Sequence, residues 1–216
     1  MNLRPTKPQL LRWVPNRLVM TNGDAGNRQC YLTFDDGPHP AFTSPMLDLL
    51  ARHRAKASFF LIGANAARYP DLVRRIVGEG HLLGNHSWDH PRMTRLPLSE
   101  QIDQIEHTDR ILAPFDSHPR HRFRPPRGVF AFPLLRYCWR VNRALVYWSY
   151  DTLDYRHEPA AVAIARLRER PPKPGDILLM HDDNQLALDI LEALLPEWQE
   201  GGLAFSALSQ ESPCPE

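Results

Sequence analysis

Two aspartates stand side by side in Thr33-Phe34-Asp35-Asp36-Gly37-Pro38, directly after an apolar run. Asp-Gly-Pro is ordinary turn chemistry. Adjacent carboxylates at a strand end still cost free energy unless a cation is near, so the pair asks for a partner. Two histidines four residues apart follow in His86-Ser87-Trp88-Asp89-His90. On one helical turn they would share a face and chelate, although Pro91 disfavours helix at His90. Two imidazoles plus one strand-end carboxylate leave coordination positions open, the pattern of catalytic zinc; the same set also holds non-haem iron(II). Arg124, in Arg124-Pro125-Pro126-Arg127-Gly128, reads as a surface base beside a Pro-Pro turn or as a fixed cation orienting Asp35. His181 leaves an apolar run at 177–180, as a satisfied rim histidine or a reactive one. Asp154 is placed either to cap the start of a helix or to hold His181. Asp182 and Asp183 are expected to cap the loop after that strand. His39, His53, His107, His118, His121 and His157 fall in loops or on helix faces and are expected to be solvated.

These residues need elements that bring them together. Strand-like runs occur at 30–34, 57–62, 81–85, 122–124, 144–150, 176–180 and 203–208. Helical patterns lie between them: 44–53, with Ser44 as N-cap and Pro45 at the first position, then 71–77, 99–113 and 186–198, with weaker ones near 133–142 and 159–170. Strands alternating with helices imply parallel pairing and right-handed crossovers. Seven such strands fit a small β/α barrel or an open doubly wound sheet. Five of the strand runs end in the polar segments above. In a parallel barrel those ends share one face, where active sites sit, so five in register suggest one assembled site.

Composition narrows the class. The chain has 216 residues, 43% hydrophobic, which fits one domain with a substantial core. Lys and Arg number 26 against 25 Asp and Glu, a net charge of +1, which gives no electrostatic case for nucleic acid or anionic membrane as the main partner. No apolar run approaches the roughly 18–20 residues that span a bilayer. No recognisable export signal is present, so a cytoplasmic location is the expectation. Cys30, Cys138 and Cys214 are far apart and form neither a CxxC pair nor a disulfide framework. Residues 1–27 are expected to be an irregular arm, 28–208 the catalytic domain and 209–216 a tail. No GxGxxG or Walker A sequence marks a nucleotide site.

Taken together, Thr33-Phe34-Asp35-Asp36-Gly37-Pro38, His86-Ser87-Trp88-Asp89-His90, Arg124-Pro125-Pro126-Arg127-Gly128, Asp151-Thr152-Leu153-Asp154-Tyr155 and Leu179-Met180-His181 resemble the motifs of the polysaccharide deacetylases. This is carbohydrate esterase family 4, which shares the rhizobial chitooligosaccharide deacetylase domain. The motifs run in family order over residues 33–181. The resemblance implies an α/β fold, a distorted (β/α)7 barrel similar to a TIM barrel. It implies a divalent metal, most commonly Zn2+ with Co2+ or Ni2+ possible, on Asp36, His86 and His90. It also implies Asp35 as catalytic base with Arg124 orienting it, and His181 as general acid tuned by Asp154. Leu179 would line the pocket for the acetyl methyl, and the Arg127 N–H would face the oxyanion. Two positions depart from the family. Arg127 stands where an aromatic is usual, which alters the substrate groove, and Tyr155 replaces a Trp that packs near the base.

The implied activity is hydrolysis of an N-acetyl amino sugar in an oligosaccharide, polysaccharide or lipid-linked glycan, giving acetate and a free amine. Close alternatives are an O-acetyl esterase or deformylase on a glycan. An iron(II) oxygenase would use the same ligands but usually a β-rich scaffold. A non-catalytic carbohydrate-binding protein would have no need of a base at Asp35 or an acid at His181.

Overall fold

The computed structural model describes residues 14–16, 18–156 and 158–209. Strand β2 (Gln29–Asp35) sets its plan. Cys30, Leu32 and Phe34 enter the apolar layer beneath the helices, whereas Tyr31 joins a separate cluster on the opposite face. With both faces covered, β2 is buried almost throughout, as parallel strands between layers are. β3 (Ala57–Leu61), β4 (Leu82–Asn85), β5 (Arg122–Phe123) and β6 (Leu145–Val146) follow on one side. β8 (Ile177–His181) flanks β2 on the other, with β7 (Tyr150–Asp151) beyond it. β1 (Val19–Met20) pairs with β6, and β9 (Ala204–Phe205) pairs with the start of β2. All these strand pairs are parallel.

Residues 144–150, expected as one strand, are divided between β6 and β7. β6 lies against β5 and β7 against β8, so a single segment changes neighbours partway and carries the sheet round into a distorted barrel. The cause lies in the stretch expected to be an irregular arm. Leu145 and Tyr147 donate backbone N–H bonds to Leu18 and Met20, and Gly23 donates to Gly175 at the foot of β8. β1 thus occupies the lower half of the gap, and β7 crosses to β8 above it. Two residues of strand are too short for the period-two alternation that reveals strands in sequence.

The helices are α1 (Thr43–Arg52), α2 (Gly63–Arg68), α3 (Pro70–Gly78), α4 (Leu98–Asp116), α5 (Phe132–Arg140), α6 (Ala160–Glu169) and α7 (Gln185–Glu200). Met46, Leu47 and Leu50 of α1 pack with Ile190, Leu191 and Leu194 of α7 over the outer face of β2. Ser44 is not the N-cap of α1: Phe42 holds that position without a side-chain cap bond. Thr43 begins the helix instead, and its hydroxyl is taken by Asp182. α2 was not expected, because Gly-Ala-Asn-Ala-Ala-Arg carries no apolar stripe. Its first residue must be glycine, since a Cβ on Gly63 would come within 2.7 Å of the Trp88 ring and 2.6 Å of Thr108 Oγ1. Cys30 and Cys138 are free and buried, and burial pushes both thiols up to about 12, which makes them inert. Cys214 and most of the C-terminal tail lie outside the described residues. No helix among the described residues is long and apolar enough to cross a membrane.

Candidate active site

The register of β2 with β8 builds the site in layers. Tyr31 is level with Ile177, Thr33 with Leu179, and Asp35 with His181. The apolar pair closes the floor, and Asp35 and His181 meet at the C-terminal rim. Asp36 comes next with φ +74. In an extended strand it would turn away from Asp35, because successive side chains alternate. The left-handed residue breaks that alternation, and Asn65 Nδ2 holds the Asp36 carbonyl at 2.9 Å. Both carboxylates therefore line the same cavity.

Arg124 is fully buried beneath them. Its Nη1 donates to Asp35 Oδ1 and Thr33 Oγ1, both at 2.7 Å, and its Nη2 donates to the Tyr147 carbonyl at 3.0 Å. The guanidinium lies 4.3 Å from the centre of the Phe60 ring. A planar fork suits these three acceptors; a lysine point charge would not. Arg124→Ala should lower stability by about 3–5 kcal/mol, because it strands a buried carboxylate. Urea denaturation checks this, and a loss below about 1 kcal/mol would show that water reaches Asp35.

His86 and His90 do not share a helical turn. Residues 86–90 form a loop in which Ser87 and His90 adopt φ +69 and +56, and Pro91 is the sequence reason that no helix forms. The two rings still converge, with centroids 5.0 Å apart. His86 Nδ1 lies 2.7 Å from the Arg124 carbonyl, a contact that fixes its proton there and frees Nε2. That Nε2 is 3.5 Å from Asp36 Oδ1, and His90 Nε2 is 3.4 Å from the same oxygen. One ligand atom from each of Asp36, His86 and His90 lies within 4.8 Å of the others. Burial holds His86 neutral, lowering it to about 4. Burial, and then the charge of Asp35, push the Asp36 carboxyl up to about 7. Asp36 Oδ1 is buried without a hydrogen-bond partner among the described residues. An orphaned carboxylate oxygen facing two neutral imidazole nitrogens fits a divalent cation.

Across the rim, Asp154 grips His181 twice. Its Oδ2 accepts the His181 backbone N–H at 2.7 Å, and its Oδ1 sits 2.9 Å from Nδ1. Burial opposes charge on that ring, but the bond and charge of Asp154, with Asp35 and Asp36, outweigh it and raise His181 to about 9. With Nδ1 engaged, Nε2 is the remaining nitrogen for proton transfer. The cavity encloses about 440 Å³ and is lined by Asp35, Asp36, the three histidines, Leu179, Arg127 and Tyr155. Tyr155 leans edge-on against His181 at 5.6 Å, and its hydroxyl donates to Asp151.

Trp148 and Asp151 also line the cavity and were missed as site residues, although Trp148 precedes β7 by only two positions. Two other expectations fail. His121 is not solvated but buried, with its ring nitrogens 3.2 Å from Asp109 and Asp116. Burial disfavours its charge, yet the two carboxylates prevail and raise its pKa. Asp109 also binds Asn85, whose Oδ1 accepts the Ser87 N–H, so this cluster anchors the loop bearing both histidines. Asp182 caps no loop: it is fully buried against Thr43, and Asn184 caps α7 through the Ala187 N–H. The side chain of His157 lies outside the described residues.

A parallel barrel whose C-terminal rim joins a carboxylate, an imidazole and a two-His-one-Asp cluster is laid out for hydrolysis. Residues 22–139 match the family model of polysaccharide deacetylase, and the chain belongs to that family. It is 33% identical over 200 residues to the peptidoglycan-N-acetylglucosamine deacetylase of Bacillus cereus, covering 91% of this chain and 72% of that one. Identity reaches 37% over 177 residues with the chitooligosaccharide deacetylase of a Bradyrhizobium species, 80% of each chain. A solved structure of a peptidoglycan N-acetylglucosamine deacetylase superposes with a TM-score of 0.86 at 32% identity, covering 92% of this chain and 97% of that one.

Proposed function

We propose that the protein removes N-acetyl groups from amino sugars of an oligo- or polysaccharide, releasing acetate. The observation that carries this reading is the level pairing of Asp35 with His181 across β2 and β8, beside the Asp36, His86 and His90 cluster. Those three residues would hold a divalent metal, zinc by the nitrogen-rich donor set. Such an ion supplies Lewis-acid polarisation of the amide carbonyl and activation of water. Asp35, fixed through Oδ1 by Arg124, takes the proton of the attacking water. The water oxygen bonds to the carbonyl carbon, and the Arg127 N–H faces the charge that develops on the carbonyl oxygen. His181 protonates the nitrogen as the carbon–nitrogen bond breaks, because an amine anion leaves badly. Leu179 packs against the acetyl methyl. Chitooligosaccharide, peptidoglycan and lipid-linked glycans all present this group.

The test is acetate release from N-acetylated oligosaccharides, with chelator and with zinc restored. Release abolished by chelator and recovered by zinc is the expected result. Glycan binding without release would favour a non-catalytic binder, and formate in place of acetate a deformylase. Metal binding carries its own signature. The Asp36 carboxyl at about 7 must lose its proton to the ion, so apparent metal affinity should fall as pH drops below 7. Calorimetry in buffers of different ionisation enthalpy measures the released proton. A pH-independent affinity between 5.5 and 8 would count against Asp36 as ligand.

A further inference from the structure

Arg127 is an exposed cation lining the cavity, with no ion pair among the described residues. It occupies left-handed backbone, φ 58 and ψ 15, in the turn Pro126–Gly128. The next residue, Gly128, presses against Trp148, since a Cβ there would lie 2.6 Å from the indole. The turn is wedged, so the Arg127 side chain starts from a fixed point. Its side chain is exposed and lines the cavity with Asp36 and His90. Among the described residues it makes no ion pair. Asp35, Asp36 and Asp151 line the same cavity, but none of them forms an ion pair with the Arg127 guanidinium among the described residues. That guanidinium is therefore free to meet an anion that arrives with the substrate.

We propose that Arg127 selects amino sugars carrying an anionic group, a carboxylate or a phosphate, next to the acetamido being cleaved. This rests on the deacetylase reading and narrows its substrate class. Guanidinium recognises both anions by paired N–H donors. Trp148, which packs against the same turn, gives the cavity an apolar wall beside Arg127.

The test uses one N-acetylated glycan in three forms: with an ether-linked carboxylate on the sugar, with that carboxylate reduced to the alcohol, and with a phosphate ester in its place. For the natural chain, kcat/KM should favour a charged form over the alcohol by about tenfold, expressed mainly in KM, and the preference should shrink with added salt. Which charged form leads identifies the anion. Arg127→Ala should bring the ratio close to one, and Arg127→Lys should restore part of it. A natural-chain ratio of one for both anions overturns the proposal. So does an equal loss on all three forms carried in kcat, which would place the side chain on the reacting oxygen instead. If no form yields acetate in the zinc-loaded protein, the deacetylase reading fails. Calorimetric affinities for the same three forms, natural chain against Arg127→Ala, then decide the Arg127 assignment by the same ratio.

Discussion

His181→Ala should lower kcat for N-acetyl substrates by roughly 10²–10⁴-fold, the range of a general acid, with metal content unchanged. The loss should be far smaller on an aryl acetate, whose phenolate leaves without a proton. Equal losses on both substrates would remove His181 from the protonation step. The pH profile gives a second reading. A general acid works in its protonated form, so the rate falls as pH rises through its pKa. Asp154 raises the ring to about 9 from 6.5, and a dication bound nearby would oppose part of that rise, so the alkaline limb should fall between those values. Asp154→Asn should move the limb toward 6.5. The same shift enters stability: a raised folded pKa stabilises fully below 6.5 and is lost as pH climbs through about 9. A limb that does not move in Asp154→Asn would show that another group sets it.

Asp36→Asn should remove metal and activity together, while making the metal-free protein more stable at pH 8. The second half follows from sign. A carboxyl raised from 3.8 to about 7 opposes folding wherever it must be ionised, so above pH 7 the metal-free chain bears a strain on the order of a few kcal/mol. The amide would relieve it, and a metal bound to Asp36 would relieve it in the natural chain. Thermal melts of metal-free and zinc-loaded forms, with elemental analysis, give both halves. Stoichiometric zinc retained in Asp36→Asn would sink the ligand assignment.

Much of this site was legible because its chemistry sits where strands end. Asp35, Asp36, Arg124, Asp154 and His181 each follow a recognisable apolar run or its turn, and parallel strands deliver such ends to one rim. What was not legible depends on partners distant in sequence. His121 reads as a loop histidine until Asp109 of α4, twelve residues earlier, folds onto it. Thr43 displaces Ser44 as the start of α1 because Asp182, 139 residues away, takes its hydroxyl. α2 has no stripe to read, and its place is set by the close fit of Gly63 to Trp88. The geometry of residues 86–90 was half legible: Pro91 excluded the helix, but the positive φ at Ser87 and His90 that brings the rings together leaves no compositional trace.

The strand at Val19–Met20 has a practical corollary. The family match begins at residue 22, so a natural place to trim the chain falls just after it. Cutting there would take out the stave that fills the foot of the barrel and bare the flank of Leu145–Val146. Uncovered flanks of that kind find one another, so the shortened protein would tend to clump. Its reactive rim would meanwhile rest on a wall propped from one side only.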